Sequence, residues 1–369
     1  MLKKGSVLVL CLLSATAFSQ NYSPKLNYEL QKIENSTDIL KTLEAFGPKT
    51  LNSQNLKNTA AWLAQQYIAM GYDSVLIDSF SFNNQSLRNV VVFKPGISTK
   101  EYIIVCGHFD TRGGSGTNDN GSGVAAILQT AALLADKNTQ RGIYFIHFDG
   151  EELGFWGSEF YVNSRLSKNY GNLYMLLNVD QIGGTKGEVG NDKIKCERDL
   201  SNLLSKQIAD TIARLTTYYT NLEPILSEAY ASDYVPFIDA KRTCVGLYQN
   251  ATGTIFNHDA SDTFGNLDTV SFKEAVKLTA ATVVYFAQTP EIVGVESVSM
   301  TDFFEVFPNP NNGHFTIANH SNASILNQKL VDISGHEIQN NTENSLPSGI
   351  YFLQIECEEF MVVKRIVVY

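Results

Sequence analysis

Cysteine is scarce, with five in 369 residues. Cys11 lies in an apolar leader, and Cys106, Cys196, Cys244 and Cys357 are widely spaced, which excludes a disulfide scaffold. Cys106 and Cys244 sit in apolar strand-like runs and read as buried thiols, with a bridge between them as the alternative. Clusters of Lys and Arg are also lacking, and the formal net charge is −10. Both features exclude nonspecific nucleic-acid binding. Beyond the leader no apolar run is long enough to span a bilayer.

The leader has the form of a secretory signal. Lys3 and Lys4 precede an apolar stretch from Ser6 to Leu13, and Ala17 and Ser19 are spaced for cleavage before Gln20. Leu10 before Cys11 argues against a lipoprotein site. The mature chain is therefore expected to be exported and soluble, and its length predicts two domains.

Along the chain, residues 20–50 are polar and mixed. Helical spacing predicts a helix over Ser53–Met70, and Val75–Phe82 and Arg88–Phe93 read as strands. From residue 101 the pattern becomes strand, loop, helix. Apolar runs at Tyr102–Cys106, Gly142–Phe148, Leu173–Val179 and Thr243–Tyr248 alternate with helices at Val124–Ala135, Trp156–Ser164, Leu200–Leu215 and Phe272–Phe286. Such alternation implies an α/β fold, a mostly parallel central sheet with helices on both faces. After Phe303 the chain turns Asn-rich, with short alternating strands and no helical period, as expected of a small all-β, sandwich-like domain.

The pair Glu151-Glu152 follows a buried strand directly. Adjacent carboxylates repel, and burying either costs free energy unless it is paired or holds a metal. A division of labour, one carboxylate on a cation and the other handling protons, would account for them. His108 and Asp180 also follow apolar strands, Asp119 stands before a helix N-terminus, and His258 lies downstream of the last strand. Parallel strands bring their ends to one edge, so these side chains can converge. Two His and three carboxylates suit Zn²⁺ or a similar dication. Five ligands suit two ions at roughly 3.5–4 Å if one carboxylate bridges. Asp110, in His-x-Asp, is placed to orient the second ring nitrogen of His108. Taken singly, Asp119 reads as a helix cap, Asp180 as a turn residue and His147 as an ordinary strand histidine.

Gly107-His108-Phe109-Asp110, Asn118-Asp119-Asn120-Gly121, Asp149-Gly150-Glu151-Glu152-Leu153-Gly154 and Asn178-Val179-Asp180, with His258 and Asp262-Thr263, resemble the bacterial leucyl aminopeptidase-like family of di-zinc exopeptidases. The resemblance spans roughly residues 50–290. It implies a zinc exopeptidase-type fold with two zinc ions per chain. Asp119 would bridge, His108 and Asp180 would hold one ion, and Glu152 and His258 the other. Glu151 would be the general base. Peptides with a free N-terminus would be the substrates. Ser232-Asp233-Tyr234 departs from the family's frequent Ser-Asp-His, and Tyr230 is the candidate oxyanion donor.

Val306-Phe307-Pro308-Asn309-Pro310, Asp332-Ile333-Ser334-Gly335, Leu346-Pro347-Ser348-Gly349-Ile350-Tyr351 and Val363-Lys364-Arg365-Ile366 resemble a type IX secretion sorting domain. That resemblance implies passage across the outer membrane by the type IX machinery, to the cell surface or beyond. The expected organisation is a signal peptide at 1–19, a catalytic domain at 20–290, a linker at 291–302 and the sorting domain at 303–369. Two rivals share the fold. One is a single-zinc glutaminyl cyclase that closes N-terminal Gln to pyroglutamate. The other is a noncatalytic adhesin or receptor domain, which would not need both Glu151 and the full ligand set.

Overall fold

The apolar runs assemble into one eight-stranded sheet. The computed structural model describes residues 22–169, 171–250, 258–293, 304–319, 325–332, 336–338, 346–357 and 361–369. The expected leader and positions 294–302 of the expected linker lie outside these residues. The strands are β1 (Ser74–Phe82), β2 (Gln85–Lys94), β3 (Glu101–His108), β4 (Gly142–Phe148), β5 (Asn172–Val179), β6 (Lys193–Arg198), β7 (Glu223–Glu228) and β8 (Cys244–Gln249). Their order is β1-β2-β4-β3-β5-β8-β6-β7. The central strands β4-β3-β5-β8 are parallel. Antiparallel pairing enters through β1–β2, β2–β4 and β6–β8.

Both faces of the central strands are buried, which is why they read as unbroken apolar runs rather than alternating ones. On β3, Ile103 and Val105 enter one core cluster, and Tyr102, Ile104 and Cys106 enter the cluster on the other face. The first face is covered by α1 (Pro24–Gln31), α2 (Ser36–Ala45), α3 (Gln54–Ala69), α4 (Gly121–Leu134), α6 (Leu203–Tyr219) and α8 (Thr269–Phe286). The second carries α5 (Trp156–Ser164) and the short α7 (Val235–Asp239).

Within residues 20–50, expected only as polar and mixed, Pro24–Gln31 and Ser36–Ala45 form α1 and α2. Leu26 and Leu30, then Leu40 and Leu43, recur at helical spacing and are buried. The strands β6 and β7 and the helix α7 were not expected either. Helix α4 starts at Gly121, three residues ahead of expectation, because the Asn120 side chain caps it by accepting the Gly123 N–H. A Cβ on Gly123 would stand 2.2 Å from the Val179 carbonyl. Glycine there lets the helix start close against the end of β5.

The C-terminal residues form β9 (Phe304–Phe307), β10 (Thr316–Asn319), β11 (Ile325–Asp332), β12 (Glu337–Ile338), β13 (Gly349–Cys357) and β14 (Met361–Val368). They make a two-stranded sheet β10-β9 and a four-stranded antiparallel sheet β12-β11-β13-β14. Phe304, Leu330, Leu353, Ile355 and Ile366 build a core cluster of their own.

Candidate metal centre

The parallel strands end along one edge, and the chemistry-bearing residues meet there. His108 closes β3. Glu151 and Glu152 open the single turn after β4, Asp180 follows β5, and Asp119 precedes α4. His258 enters from the loop that leads to α8. Asp119 sits between the two histidines. Its Oδ1 lies 3.2 Å from His108 Nε2 and its Oδ2 lies 3.4 Å from His258 Nε2. Each histidine also faces a second carboxylate, with His108 Nε2 at 3.5 Å from Asp180 Oδ1 and His258 Nε2 at 2.9 Å from Glu152 Oε2. Glu151 Oε2 stands slightly farther off, 3.9 Å from His108 Nε2.

Asp110 is more than a histidine orienter. Its main-chain carbonyl accepts the His108 Nδ1–H at 3.1 Å, while its carboxylate lies 3.5 Å from that nitrogen. The same carboxylate accepts the main-chain N–H groups of Glu151 and Glu152, each at 3.2 Å. It therefore sets the orientation of the turn that presents both glutamates. Ser232 Oγ donates to Asp180 Oδ2 at 2.6 Å and accepts from the Asn178 side chain. The Asp262 carboxylate accepts the main-chain N–H groups of Asn118 and Asp119 at 2.7 and 2.9 Å. Tyr230 is 88 % exposed, and its main-chain N–H donates to Tyr234 Oη. His147 belongs elsewhere, buried in the sheet with Nε2 against Tyr67 Oη.

The electrostatics show a site with excess negative charge. Burial pushes Glu151 up to about 10, with Asp180, Asp233 and Asp110 adding to the effect against the pull of His108. Burial and Asp119 raise Glu152 to about 7. Burial would lower His108, but Glu151 and the nearby carboxylates of Asp110, Asp119 and Asp180 outweigh it and hold the imidazole well above its ordinary value. Burial likewise opposes ionisation of Asp119, yet the close approach of His108 and His258 holds it down at about 2. Protons are thus drawn to a cluster of carboxylates that a dication would neutralise.

Buried His108 Nε2, Asp119 Oδ2, Glu152 Oε1 and Asp180 Oδ1 make no hydrogen bond among the described residues. His108, Asp119 and Glu152 offer ligand atoms within 4.8 Å of one another, as do His108, Glu151 and Asp180. Orphaned N and O atoms converging in this way fit a divalent cation of the zinc type.

Sequence reasoning marks His108, Glu152 and Asp180 by the apolar runs they follow, Asp119 by the helix it precedes and His258 by its place downstream of the last strand. It gave no signal for Asn178 as a support of Ser232, nor for Glu197, whose buried carboxylate accepts the Tyr234 hydroxyl at 2.8 Å. Those partners are set by tertiary packing.

The profile of Peptidase family M28 matches residues 89–283, and that of the Secretion system C-terminal sorting domain matches residues 305–369. The chain is 30 % identical to Aminopeptidase YwaD of Bacillus subtilis (strain 168) over 166 residues, 43 % of this chain and 35 % of that protein. It is 31 % identical to Leucine aminopeptidase 2 of Trichophyton rubrum over 134 residues, 36 % of this chain and 26 % of that one. It thus spans about a quarter to a third of the length of these curated relatives. Among solved structures, LapB from Legionella pneumophila superposes with a TM-score of 0.65 at 21 % identity, covering 73 % of this chain and 77 % of that one. BSAP, a zinc aminopeptidase from Bacillus subtilis, gives 0.60 at 15 % identity over 69 % and 95 %. Bacteroides thetaiotaomicron glutaminyl cyclase gives 0.58 at 19 % identity over 69 % and 97 %. At such identities these likenesses establish the fold.

Proposed function

The chain belongs to peptidase family M28, and on that premise we propose that it is a metal-dependent aminopeptidase using two zinc ions, with Glu151 as general base. The C-terminal sorting domain marks it as a secreted or cell-surface protein. The observation that carries the reading is the position of Asp119 between two His–carboxylate pairs, one oxygen toward each histidine. That is the donor arrangement of a bridged pair of ions. In this reading His108 and Asp180 would hold one ion, Glu152 and His258 would hold the other, and Asp119 would serve both. The similarity to aminopeptidases, one of them a zinc enzyme, supports the choice of metal and reaction.

The ions, when bound, supply Lewis acidity, lowering the pKa of water and polarising a peptide carbonyl. Glu151 Oε2 takes the proton of the attacking water and returns it to the leaving amine nitrogen. Asp110 holds the Glu151 main-chain N–H, which fixes the turn that presents this carboxylate to the site. The substrate's free α-amine meets the carboxylates that crowd this edge, which favours cleavage of the first peptide bond. Ser232 and Asn178 hold Asp180 in place, and Asp262 holds the main chain at Asp119. Export through the type IX machinery follows from the tail, and peptides with a free N-terminus are the substrates.

Metal content and turnover on one purified sample test the proposal. Release of free leucine from a leucyl amide, halted by chelation, with two zinc ions per chain is the expected result. One ion per chain, with ammonia released from a Gln-initiated peptide and no amide cleavage, would make the protein a glutaminyl cyclase. Metal binding without turnover of either substrate would leave a noncatalytic relative.

A further inference from the structure

Lys49 is a buried cation outside the metal cluster, only 1 % exposed. It lies after α2, ahead of the region that matches the family. An ammonium has three N–H groups, and here three main-chain carbonyls receive them. These are Leu43 O at 3.3 Å, Gly47 O at 3.1 Å and Ser115 O at 2.5 Å. The first two belong to its own segment, while the third belongs to the loop that leads to Asp119. A reciprocal pair of hydrogen bonds between Lys49 and Thr111 strengthens the junction. The Lys49 N–H donates to Thr111 Oγ1 at 2.9 Å, and the Thr111 N–H donates to Lys49 O at 3.1 Å.

Glu44, on α2, grips the second ligand-bearing loop as well as the first. Its Oε2 accepts the Thr117 hydroxyl at 2.6 Å and the main-chain N–H of Phe264. The two loops are also locked to each other. Ser115 Oγ and the Thr117 N–H donate to Asp262 O, and the Asp262 carboxylate holds the N–H groups of Asn118 and Asp119. A Cβ on Gly113 would approach the His258 carbonyl to 2.2 Å, so the main chains are in direct contact there. The α2 segment thus anchors, by one cation and one carboxylate, the loops that carry Asp119 and His258.

We infer that Lys49 and Glu44 are positioning residues for the metal centre, fixing the separation of Asp119 and His258. The inference rests on the ligand reading proposed above. A buried charge is retained at a cost, and holding a geometry is one documented use of such groups. Partners that orient metal ligands control affinity directly. His258 is the ligand whose side chain is most exposed, at 44 %, so the ion it shares with Glu152 depends most on this anchorage.

The test measures zinc affinity by competition with a chromophoric chelator, and ligand geometry from the visible spectrum of the cobalt-loaded full chain. The variants are Lys49→Met and Glu44→Gln. Arg141→Met is the control, because Arg141 joins Glu101 and the Phe286 carbonyl at the opposite end of the sheet. Both test variants should bind the weaker ion about ten- to a hundredfold less tightly, with an altered cobalt spectrum. Arg141→Met should lower the melting temperature and leave affinity and spectrum unchanged. Folded test variants that bind metal as the wild type does, while melting like the control, would overturn the inference. If Lys49→Met does not fold, Glu44→Gln decides alone. Wild-type protein that takes up only one ion would count against the two-ion reading, and the positioning role would then be judged on the affinity for that ion.

Discussion

Replacing Glu151 by Gln removes a base while keeping the shape of the side chain. The main-chain N–H of residue 151 still donates to Asp110, and none of the four closest ligand contacts involves the side chain. The proposed ligands should therefore stay in place. A positioned general base contributes about 10²–10⁴ in rate. At about 1.4 kcal/mol per factor of ten, this corresponds to roughly 3–5 kcal/mol of barrier. We expect kcat to fall by that factor, with zinc content unchanged and KM for a leucyl amide close to the wild-type value. The geometry holds a rival within it, since Glu151 also has an oxygen within ligand range of His108 and Asp180. The 3.9 Å to His108 Nε2, against 3.2 Å for Asp119 and 3.5 Å for Asp180, favours the base. Stopped-flow turnover and metal analysis on the same preparation separate the two. A Glu151→Gln protein that turns over normally would refute the base assignment. One that has lost an ion would make Glu151 a ligand.

Three further outcomes are expected. Chelation should destabilise the folded chain as well as stop turnover. A ligand present at a hundredfold its Kd contributes about 2.7 kcal/mol, so calorimetry should show a melting temperature several degrees lower. Ser232→Ala breaks the bond to Asp180 and should weaken zinc binding about ten- to a hundredfold, as read by chelator competition. Glu197 is raised by burial from 4.5 to about 7, so the fold favours its protonated form. Its stabilising contribution is full below 4.5 and is lost as pH rises through about 7. In metal-free protein Glu197→Gln should remove that decline, and an unaltered pH profile of denaturant midpoints would contradict it.

The fold and the ligand-type residues were legible in the sequence for one reason. Strands buried on both faces print as continuous apolar runs, and the residue that ends each run lies at the sheet edge. His108, Glu152 and Asp180 are legible in this way. The covering layer was less so. In α1 and α2 the period rests on few residues, chiefly Leu26, Leu30, Leu40 and Leu43, in a largely polar stretch. Lys49 was silent, because a lysine in a polar stretch reads as solvated until the carbonyls around it are placed. The double grip of Asp110 on Glu151 and Glu152 was hidden too, since it depends on how β3 and β4 lie side by side.

The free cysteines bear on the life of the protein outside the cell. Cys106, Cys196 and Cys244 are all buried, and burial pushes the Cys196 thiol up to about 12 and raises the other two as well. Reaction with oxidants proceeds through the thiolate, which is scarce at these positions, and the surrounding core blocks access. These three thiols therefore resist oxidation in an oxidising medium without being cross-linked to one another. The vulnerable moment is the interval before the sheet closes, when these thiols would stand open to mispairing with one another and with Cys357. Whatever shortens that interval protects the thiols as a cross-link would.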